Sequence, residues 1–321
     1  MKERLHFEDN GDGWLLEIRQ FWNPEHLDTA RRPIVMIPGY GMNTFILNFH
    51  PRGHSMVRFL VDRGFEVWTA NLRGQGGARN VGGSRSFGFS ELALVDLPVV
   101  FDFAQANTRV KGTGISAVGC SLGATFLYAY LAHHLDDHPF EAMVAMGGPL
   151  RWEKVHPLAK IAFHSPALAG AMPFFGTHEL ARRALPIVKY MPKVLDLYMN
   201  KASIDLSRSD ELVQTVDDPV PHLNRQIAHW IKQKDLVVRG VNVSQRLQGV
   251  DLATLAVIAN ADGVVPPETA LSVRDIMKFD CVDVLEVGDA HHWFAHADLF
   301  ISDHAQVRVF APLSDWLESR H

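Results

Sequence analysis

One serine in this chain lies in a pattern that is typical of an enzymatic nucleophile. Ser121 is the central residue of Gly-Cys-Ser-Leu-Gly at residues 119–123, which matches the G-x-S-x-G motif. Residues 113–118 before it predict a short buried strand, and residues 124–131 after it predict a helix without a breaker. In this strand–turn–helix context the serine occupies a strained turn, and the glycines let the strand and the helix approach each other. The pattern therefore predicts that Ser121 is a catalytic nucleophile.

A serine hydroxyl is a weak nucleophile at neutral pH, so it needs a base and a group that orients the base. Asp262 is the only acidic residue in the loop that follows the apolar run 255–259, which makes it the candidate for the orienting acid. A simpler interpretation is that Asp262 caps a turn, as Asp-Gly pairs often do. Three histidines follow the last predicted strand, and spacing alone does not choose the base among His291, His292 and His296.

Attack on a carbonyl also needs two backbone N–H groups that stabilise the developing negative charge. The residue after the nucleophile, Leu122, is expected to supply one of them. The glycine-rich loop after the apolar run 33–37 is expected to supply the other, from Tyr40 or, as the alternative, from Gly41. The competing interpretation of this loop is an ordinary tight turn.

A zinc site is a further interpretation of the three histidines. No cysteine and no second His-x-His group lies beside them, so the sequence disfavours it. The predicted chemistry requires neither a metal nor a cofactor.

Composition narrows the class of protein. The formal net charge is −5, which leaves no basic excess for a phosphate backbone, so a nucleic-acid partner is not expected. Two cysteines imply no disulfide framework. The charged N-terminal residues have no apolar run behind them, and no apolar stretch reaches the roughly 18 residues of a membrane span. These observations predict a soluble, cytoplasmic protein, and they leave its oligomeric state open.

The elements around these residues alternate between strand and helix, which predicts an α/β fold with a mostly parallel sheet covered on both faces. In such sheets the site lies at the carboxyl ends of the strands. Strands are predicted at 14–21, 33–37, 65–70, 113–118, 140–146, 255–259 and 282–287, and helices at 55–63, 91–106, 124–131, 268–278 and 307–317.

The amino-acid composition changes near residue 150. Residues 150–205 contain repeated prolines and eight Lys/Arg against four Asp/Glu. We interpret residues 151–245 as a helical cap inserted between two core parts, 1–150 and 246–321. The alternative is that these are ordinary core helices of a larger domain.

Four segments of the chain resemble an α/β-hydrolase of the esterase/lipase type. They are the motif at 119–123, Pro-Gly-Tyr-Gly at 38–41, the segment 67–74 that ends in Asn-Leu-Arg-Gly, and His-Ala-Asp-Leu-Phe at 296–300. The last two are similar to segments of acid lipases, whereas Pro38 departs from the His-Gly that relatives often carry. The resemblance covers the two core parts and implies an α/β-hydrolase fold with an inserted cap.

The resemblance also implies roles for particular residues. Its register favours His296 over His292 as the base, so that Ser121, Asp262 and His296 would form a catalytic triad. The backbone amides of Tyr40 and Leu122 would form the oxyanion hole. The implied activity is hydrolysis of a carboxylic ester through an acyl-enzyme.

Other activities fit the same residues. Acyl transfer to another acceptor and thioester hydrolysis would use the same triad, and a non-catalytic binding protein of this fold is the alternative from another class. Dehalogenases and epoxide hydrolases need Asp at position 121, and the related polyester synthases use Cys at the turn, where this chain has Cys120 one residue too early. The apolar cap predicts a small-molecule ester with an apolar acyl chain.

Overall fold

The computed structural model describes residues 1–112, 114–157, 160 and 196–320. Its strands, in chain order, are β1 (Lys2–Asp9), β2 (Trp14–Trp22), β3 (Ile34–Ile37), β4 (Val67–Asn71), β5 (Arg79–Asn80), β6 (Ile115–Cys120), β7 (Phe140–Met146), β8 (Val237–Val238), β9 (Val241–Asn242), β10 (Thr254–Ala259) and β11 (Val282–Val287).

The central sheet has the strand order β1-β2-β4-β3-β6-β7-β10-β11, with β5 paired to β2. From β4 to β11 all neighbouring strands are parallel, while the β1–β2 and β2–β4 pairs are antiparallel. The predicted α/β fold with a mostly parallel sheet is thus confirmed. Because the parallel strands share one direction, the residues after β3, β6, β7, β10 and β11 emerge at the same edge of the sheet.

Short helices surround the sheet, and two longer ones are interrupted by π-helical turns. The α-helices are α1 (Phe45–Asn48), α2 (Met56–Asp62), α3 (Phe89–Glu91), α4 (Leu97–Asn107), α5 (Leu122–His133), α6 (Ser209–Leu212), α7 (Pro221–Gln233), α8 (Val243–Arg246), α9 (Pro267–Ala270), α10 (Ser272–Ile276), α11 (Asp298–Ile301) and α12 (Ala311–Glu318); π-helical segments lie at Leu92–Asp96 and Gln306–Phe310.

Apolar clusters cover both faces of the sheet, which explains why its central strands are continuously apolar. On one face α5 is buried along almost its whole length, in agreement with its nearly uniform apolar sequence. The other face is covered by α2, α11 and α12. This two-sided packing fixes the strand ends that carry the candidate site.

The N-terminal hairpin contains a strand that the sequence pattern did not predict. Strand β1 pairs antiparallel with β2 along its full length, from Lys2 opposite Trp22 to Asp9 opposite Leu15. Its first residues are exposed, so the charged side chains give no apolar alternation. Strand β2, whose alternating sequence at 14–21 predicts a strand at the outside of the sheet, therefore lies one position inside the edge.

The predicted cap lies partly outside the described residues, since 158–159 and 161–195 are not described. In the described part, α7 buries Trp230 against Phe89, with ring centroids 5.7 Å apart, in the same apolar cluster as α5. This packing agrees with the alternative of core helices for this portion, and the boundaries 151–245 stay a prediction.

The same region contains the hairpin β8–β9, although only helices were predicted there. Arg239 and Gly240 have φ of 43° and 81°, as a two-residue hairpin turn with a left-handed backbone requires. Among the described residues, none of the helices is long and apolar enough to cross a bilayer.

Candidate active site

Ser121 lies at the sharp turn between β6 and α5. Its φ is 53° and its ψ is −127°, a strained conformation for a residue with a Cβ, and its N–H donates to the Met146 carbonyl at 2.8 Å. The flanking glycines permit this turn. A Cβ on Gly119 would lie 2.4 Å from the Ala124 backbone, and one on Gly123 would lie 2.3 Å from the carbonyl oxygen of residue 37. The local sequence therefore folds as the G-x-S-x-G motif predicts.

Asp262 and His296 form a buried hydrogen-bonded pair. His296 Nδ1 lies 2.6 Å from Asp262 Oδ2, and the two residues are 1% and 5% exposed, respectively. The other carboxylate oxygen, Oδ1, accepts the N–H groups of Val264 and Val265, both at 2.8 Å. Because a carboxylate only accepts, this geometry assigns the imidazole proton to Nδ1. The Nε2 atom is buried and has no hydrogen-bond partner among the described residues, which leaves it available to accept a proton.

Two glycines after β7 lie between this pair and Ser121. A Cβ on Gly147 would lie 3.0 Å from His296 Cε1 and 3.5 Å from Asp262 Oδ2, while one on Gly148 would lie 3.2 Å from the Ser121 carbonyl oxygen. Consecutive Cα atoms are 3.8 Å apart. The Asp262–His296 pair and Ser121 thus lie next to one short piece of backbone, and His296 Nε2 makes no hydrogen bond to Ser121 Oγ. Sequence reasoning missed these glycines, and the signal was the Gly-Gly pair directly after a predicted strand.

The loop after β3 packs directly against Ser121. A Cβ on Gly39 would lie 2.7 Å from the Ser121 Cβ and 2.9 Å from the Cys120 carbonyl oxygen, so only glycine permits this approach. Tyr40 follows at once, and Leu122 is the first residue of α5, where backbone N–H groups lack intrahelical partners. The two residues expected to form an oxyanion hole therefore border the serine on adjacent segments.

The other two histidines lie at the surface, away from Asp262. The backbone N–H groups of His291 and His292 both donate to Asp289 Oδ1 at 2.8 Å, and His292 Nδ1 lies 3.6 Å from the same oxygen. The contact with Asp262 belongs to His296. In the part of the chain that the structure describes, no group of three His, Cys, Asp or Glu side chains is arranged to hold a metal ion.

Asp298 is a buried carboxylate two residues after His296, and the sequence analysis included it in the segment 296–300 without assigning it a role. Its Oδ2 accepts the N–H groups of Ala295 at 2.6 Å and Asn200 at 3.0 Å. Burial raises the pKa of Asp298 to about 7, although these backbone N–H groups act in the opposite direction. Asp298 anchors the turn that carries His296.

Cys120 precedes the serine but is placed for packing. Its side chain is buried, and burial raises the pKa of its thiol, so the sulfur stays protonated and unreactive. The thiol therefore does not compete with Ser121 as a nucleophile.

With this geometry in place, the comparisons identify the class of protein. The family model of the alpha/beta hydrolase fold matches residues 32–297. The chain belongs to the α/β-hydrolase family, and the resemblance found in the sequence is confirmed.

Among curated proteins, the chain is similar to human gastric triacylglycerol lipase. The two are 31% identical over 125 residues, which is 36% of this chain and 31% of the lipase. The chain thus matches about a third of the length of this relative.

Solved structures of several activities share the fold. An esterase from Rhodococcus sp. ECU1013 is 15% identical with a TM-score of 0.63, over 100% of both chains. A meta-cleavage product hydrolase from Pseudomonas fluorescens IP01 is 14% identical with a TM-score of 0.61, over 97% of this chain and 96% of that one. A bromoperoxidase from Bacillus anthracis is 15% identical with a TM-score of 0.62, over 99% and 100%. At such identities the likeness concerns the fold.

Proposed function

We propose that the protein is a serine hydrolase that cleaves carboxylic esters through an acyl-enzyme on Ser121. One observation carries the proposal: the buried hydrogen bond between His296 Nδ1 and Asp262 Oδ2 leaves Nε2 without a partner among the described residues, and the short backbone of Gly147 and Gly148 lies between this pair and the strained Ser121. A serine nucleophile requires such an oriented neutral imidazole. The similarity to a triacylglycerol lipase, 31% identical over 125 residues, supports the ester as the substrate class.

The proposed reaction has two halves. Ser121 Oγ attacks the ester carbonyl while His296 Nε2 takes its proton, and Asp262 stabilises the imidazolium that forms. The backbone N–H groups of Leu122 and Tyr40 stabilise the negative oxygen of the tetrahedral intermediate. Collapse transfers the proton from His296 to the leaving alkoxide and leaves the acyl group on Ser121. Water then attacks the acyl-enzyme by the same steps, with His296 again as base and acid.

The proposed substrate has an apolar acyl chain, because the inserted residues 151–245 are rich in apolar side chains. In this proposal the parts 1–150 and 246–321 supply the chemistry and the insertion contributes to substrate selection. Hydrolysis of hexanoate and octanoate esters faster than acetate esters is the expected profile, and a preference for acetate would contradict it.

The test is hydrolysis of p-nitrophenyl esters, from acetate to dodecanoate, by the wild type and three variants. We expect Ser121→Ala and His296→Ala to lose activity by about 10⁴-fold or more, as removal of triad members does. His292→Ala is the matched control, since His292 is half-exposed and contacts Asp289 instead of Asp262, and we expect it to retain activity within about two-fold.

A fluorophosphonate probe provides an independent readout, because it reacts with activated serines. We expect it to label the wild type and not Ser121→Ala. A wild type that is unlabelled and inactive on every ester and thioester would favour the non-catalytic binding protein. Loss of activity in His292→Ala with retention in His296→Ala would reassign the base.

A further inference from the structure

The loop that carries Tyr40 is joined to a distant part of the chain. Two backbone hydrogen bonds, of 3.0 and 3.1 Å, connect residues 41–43 to residues 215–217, and an antiparallel bridge pairs Met42 with Val216. These residues lie between β3 and α1 on one side and before α7 on the other. The loop that carries Tyr40 is therefore hydrogen-bonded to the described end of the insertion.

The Tyr40 side chain makes a second connection to the same region. Its hydroxyl accepts the Val220 N–H at 2.6 Å and donates to Asn224 Oδ1 at 2.7 Å. Val220 directly precedes α7, and Asn224 lies in its first turns and is only 1% exposed. Burial raises the pKa of the Tyr40 phenol, so the hydroxyl stays protonated and donates. Packing fixes the position of α7, because its residues Leu223 and Trp230 are buried in the main apolar cluster.

A third contact restrains the backbone of the same loop. Gln75 Nε2 donates to the Gly39 carbonyl at 2.8 Å and to the Met42 carbonyl at 3.2 Å. The residues on both sides of Tyr40 are thus restrained through their backbones, and Tyr40 itself is restrained through its hydroxyl. A tyrosine side chain has only two rotatable bonds, so fixing its hydroxyl restricts the orientation of the residue that carries it.

From these contacts we propose that the Tyr40 hydroxyl is a positioning group for the oxyanion hole. Held by Val220 and Asn224, it sets the direction of the Tyr40 backbone N–H towards the carbonyl oxygen that becomes negative at Ser121. This inference rests on the proposed function, in which that N–H is a donor. It makes α7 a part of the catalytic apparatus although α7 supplies no group that touches the substrate.

A positioning role and a merely structural role differ in what they change. An oxyanion-hole donor acts in the transition state, so its misalignment lowers kcat and leaves KM nearly unchanged. If the hydroxyl only stabilises the fold, its removal would lower the melting temperature without affecting kcat at a temperature where the protein is folded. If the hydroxyl binds substrate, its removal would raise KM.

The experiment compares wild type, Tyr40→Phe, Asn224→Ala and the double variant on one p-nitrophenyl ester. A second readout is inhibition by an alkyl boronic acid, which forms a tetrahedral adduct on an active-site serine. We expect each single variant to lower kcat about 10-fold with KM within two-fold, and the boronic acid Ki to weaken by the same factor. Both variants break the Tyr40–Asn224 hydrogen bond, and Tyr40→Phe also removes the acceptor of the Val220 N–H, so the double variant should lose little more than Tyr40→Phe alone.

Tyr128→Phe is the matched control. Tyr128 also has a buried hydroxyl, but among the described residues that hydroxyl has no hydrogen-bond partner, and it lies in the middle of α5. We expect this variant to keep the kcat and the boronic acid Ki of the wild type.

The outcomes separate the inference from the proposed function. If Ser121→Ala is inactive while Tyr40→Phe and Asn224→Ala keep the wild-type kcat and Ki, the positioning role is overturned and the proposed function stands. A rise in KM alone would also overturn it, by making the hydroxyl a substrate contact. If the wild type cleaves no ester, or Ser121→Ala stays active, the proposed function fails and the inference fails with it.

Discussion

Asp298 and Asp262 are two buried carboxylates that approach a single histidine. Asp262 accepts hydrogen bonds from His296 Nδ1 and from the backbone N–H groups of Val264 and Val265. Asp298 is fully buried, and burial together with the charge of Asp262 raises its pKa to about 7. Below about pH 7 Asp298 is therefore neutral in the folded protein, and its oxygens accept backbone N–H groups instead of contacting the imidazole of His296.

The raised pKa of Asp298 makes stability depend on pH in a defined direction. The unfolded chain loses this proton near pH 4, whereas the folded chain keeps it up to about pH 7, so the free energy of unfolding falls as pH rises between these values. Asp298→Asn keeps a neutral oxygen that accepts from Ala295 and removes the titration. We expect its stability relative to wild type to improve by about 2–3 kcal/mol between about pH 5 and pH 7.

Urea denaturation of both proteins at several pH values measures this difference. Above about pH 7 the difference between the two proteins should level off, because Asp298 is then ionised in both the folded and the unfolded wild type. A difference that is constant from about pH 5 to pH 8, or that favours wild type increasingly as pH rises, would contradict a raised pKa.

At the scale of elements, the end of β7 controls how closely the serine turn and the Asp262–His296 pair can approach. Gly147 has φ of 57°, and a Cβ there would touch the imidazole ring at 3.0 Å. Gly147→Ala should displace His296 and lower kcat by about 10- to 100-fold, since small misplacements of catalytic groups have effects of this size. Ester hydrolysis and urea denaturation of the variant are the two measurements.

The left-handed backbone of residue 147 would by itself destabilise an alanine, so a control is needed. Gly249 has φ of 72°, and a Cβ there would meet no atom within 4 Å. Gly249→Ala should lower the free energy of unfolding by about 1–2 kcal/mol, as the left-handed backbone alone would in Gly147→Ala, and should keep its activity. Equal activity of the two variants would show that the space beside His296 is not required.

The sequence predicted elements well where burial produced a clear pattern. Strand β7 was predicted with its observed limits, Phe140–Met146, because it is an apolar run bounded by breakers. Strand β6 lies at Ile115–Cys120, two residues later than predicted, because periodicity does not show where a buried strand ends. Strand β1 was missed because it lies at the exposed edge of the sheet.

The sequence was sufficient to predict which residues could form the candidate site, but not which contacts hold them in place. The motif around Ser121 and the loop of Asp262 follow local rules, whereas the choice of His296 among three histidines needed a family resemblance. The hydrogen bond from Tyr40 to Asn224 joins residues separated by 184 positions, and nothing in either local sequence predicts it. Such contacts depend on the complete fold.

At the scale of the whole molecule, one buried ion pair joins three segments on the side of the sheet near β2. Arg73 donates to Asp96 through its backbone N–H at 3.0 Å and through Nη2 at 2.8 Å, and both side chains are fully buried. Asn10, in the β1–β2 turn, donates to the same carboxylate at 2.7 Å. The loop after β4, the π-helical turn before α4 and the N-terminal hairpin thus share one carboxylate.

Removing only the cation of this pair would leave the buried Asp96 carboxylate with two neutral donors, the Asn10 amide and the backbone N–H of residue 73, and no positive charge. We expect Arg73→Met to lower the free energy of unfolding by about 3–5 kcal/mol, the usual loss when one partner of a buried pair is removed. In Arg73→Met/Asp96→Asn the amide oxygen of residue 96 still accepts from Asn10 but carries no charge. We therefore expect the double variant to have a free energy of unfolding about 1–2 kcal/mol higher than that of Arg73→Met. Urea denaturation at neutral pH measures both. A double variant less stable than Arg73→Met would mean that Asp96 stabilises the fold mainly through its contacts with neutral donors, and that the charge of Arg73 contributes little.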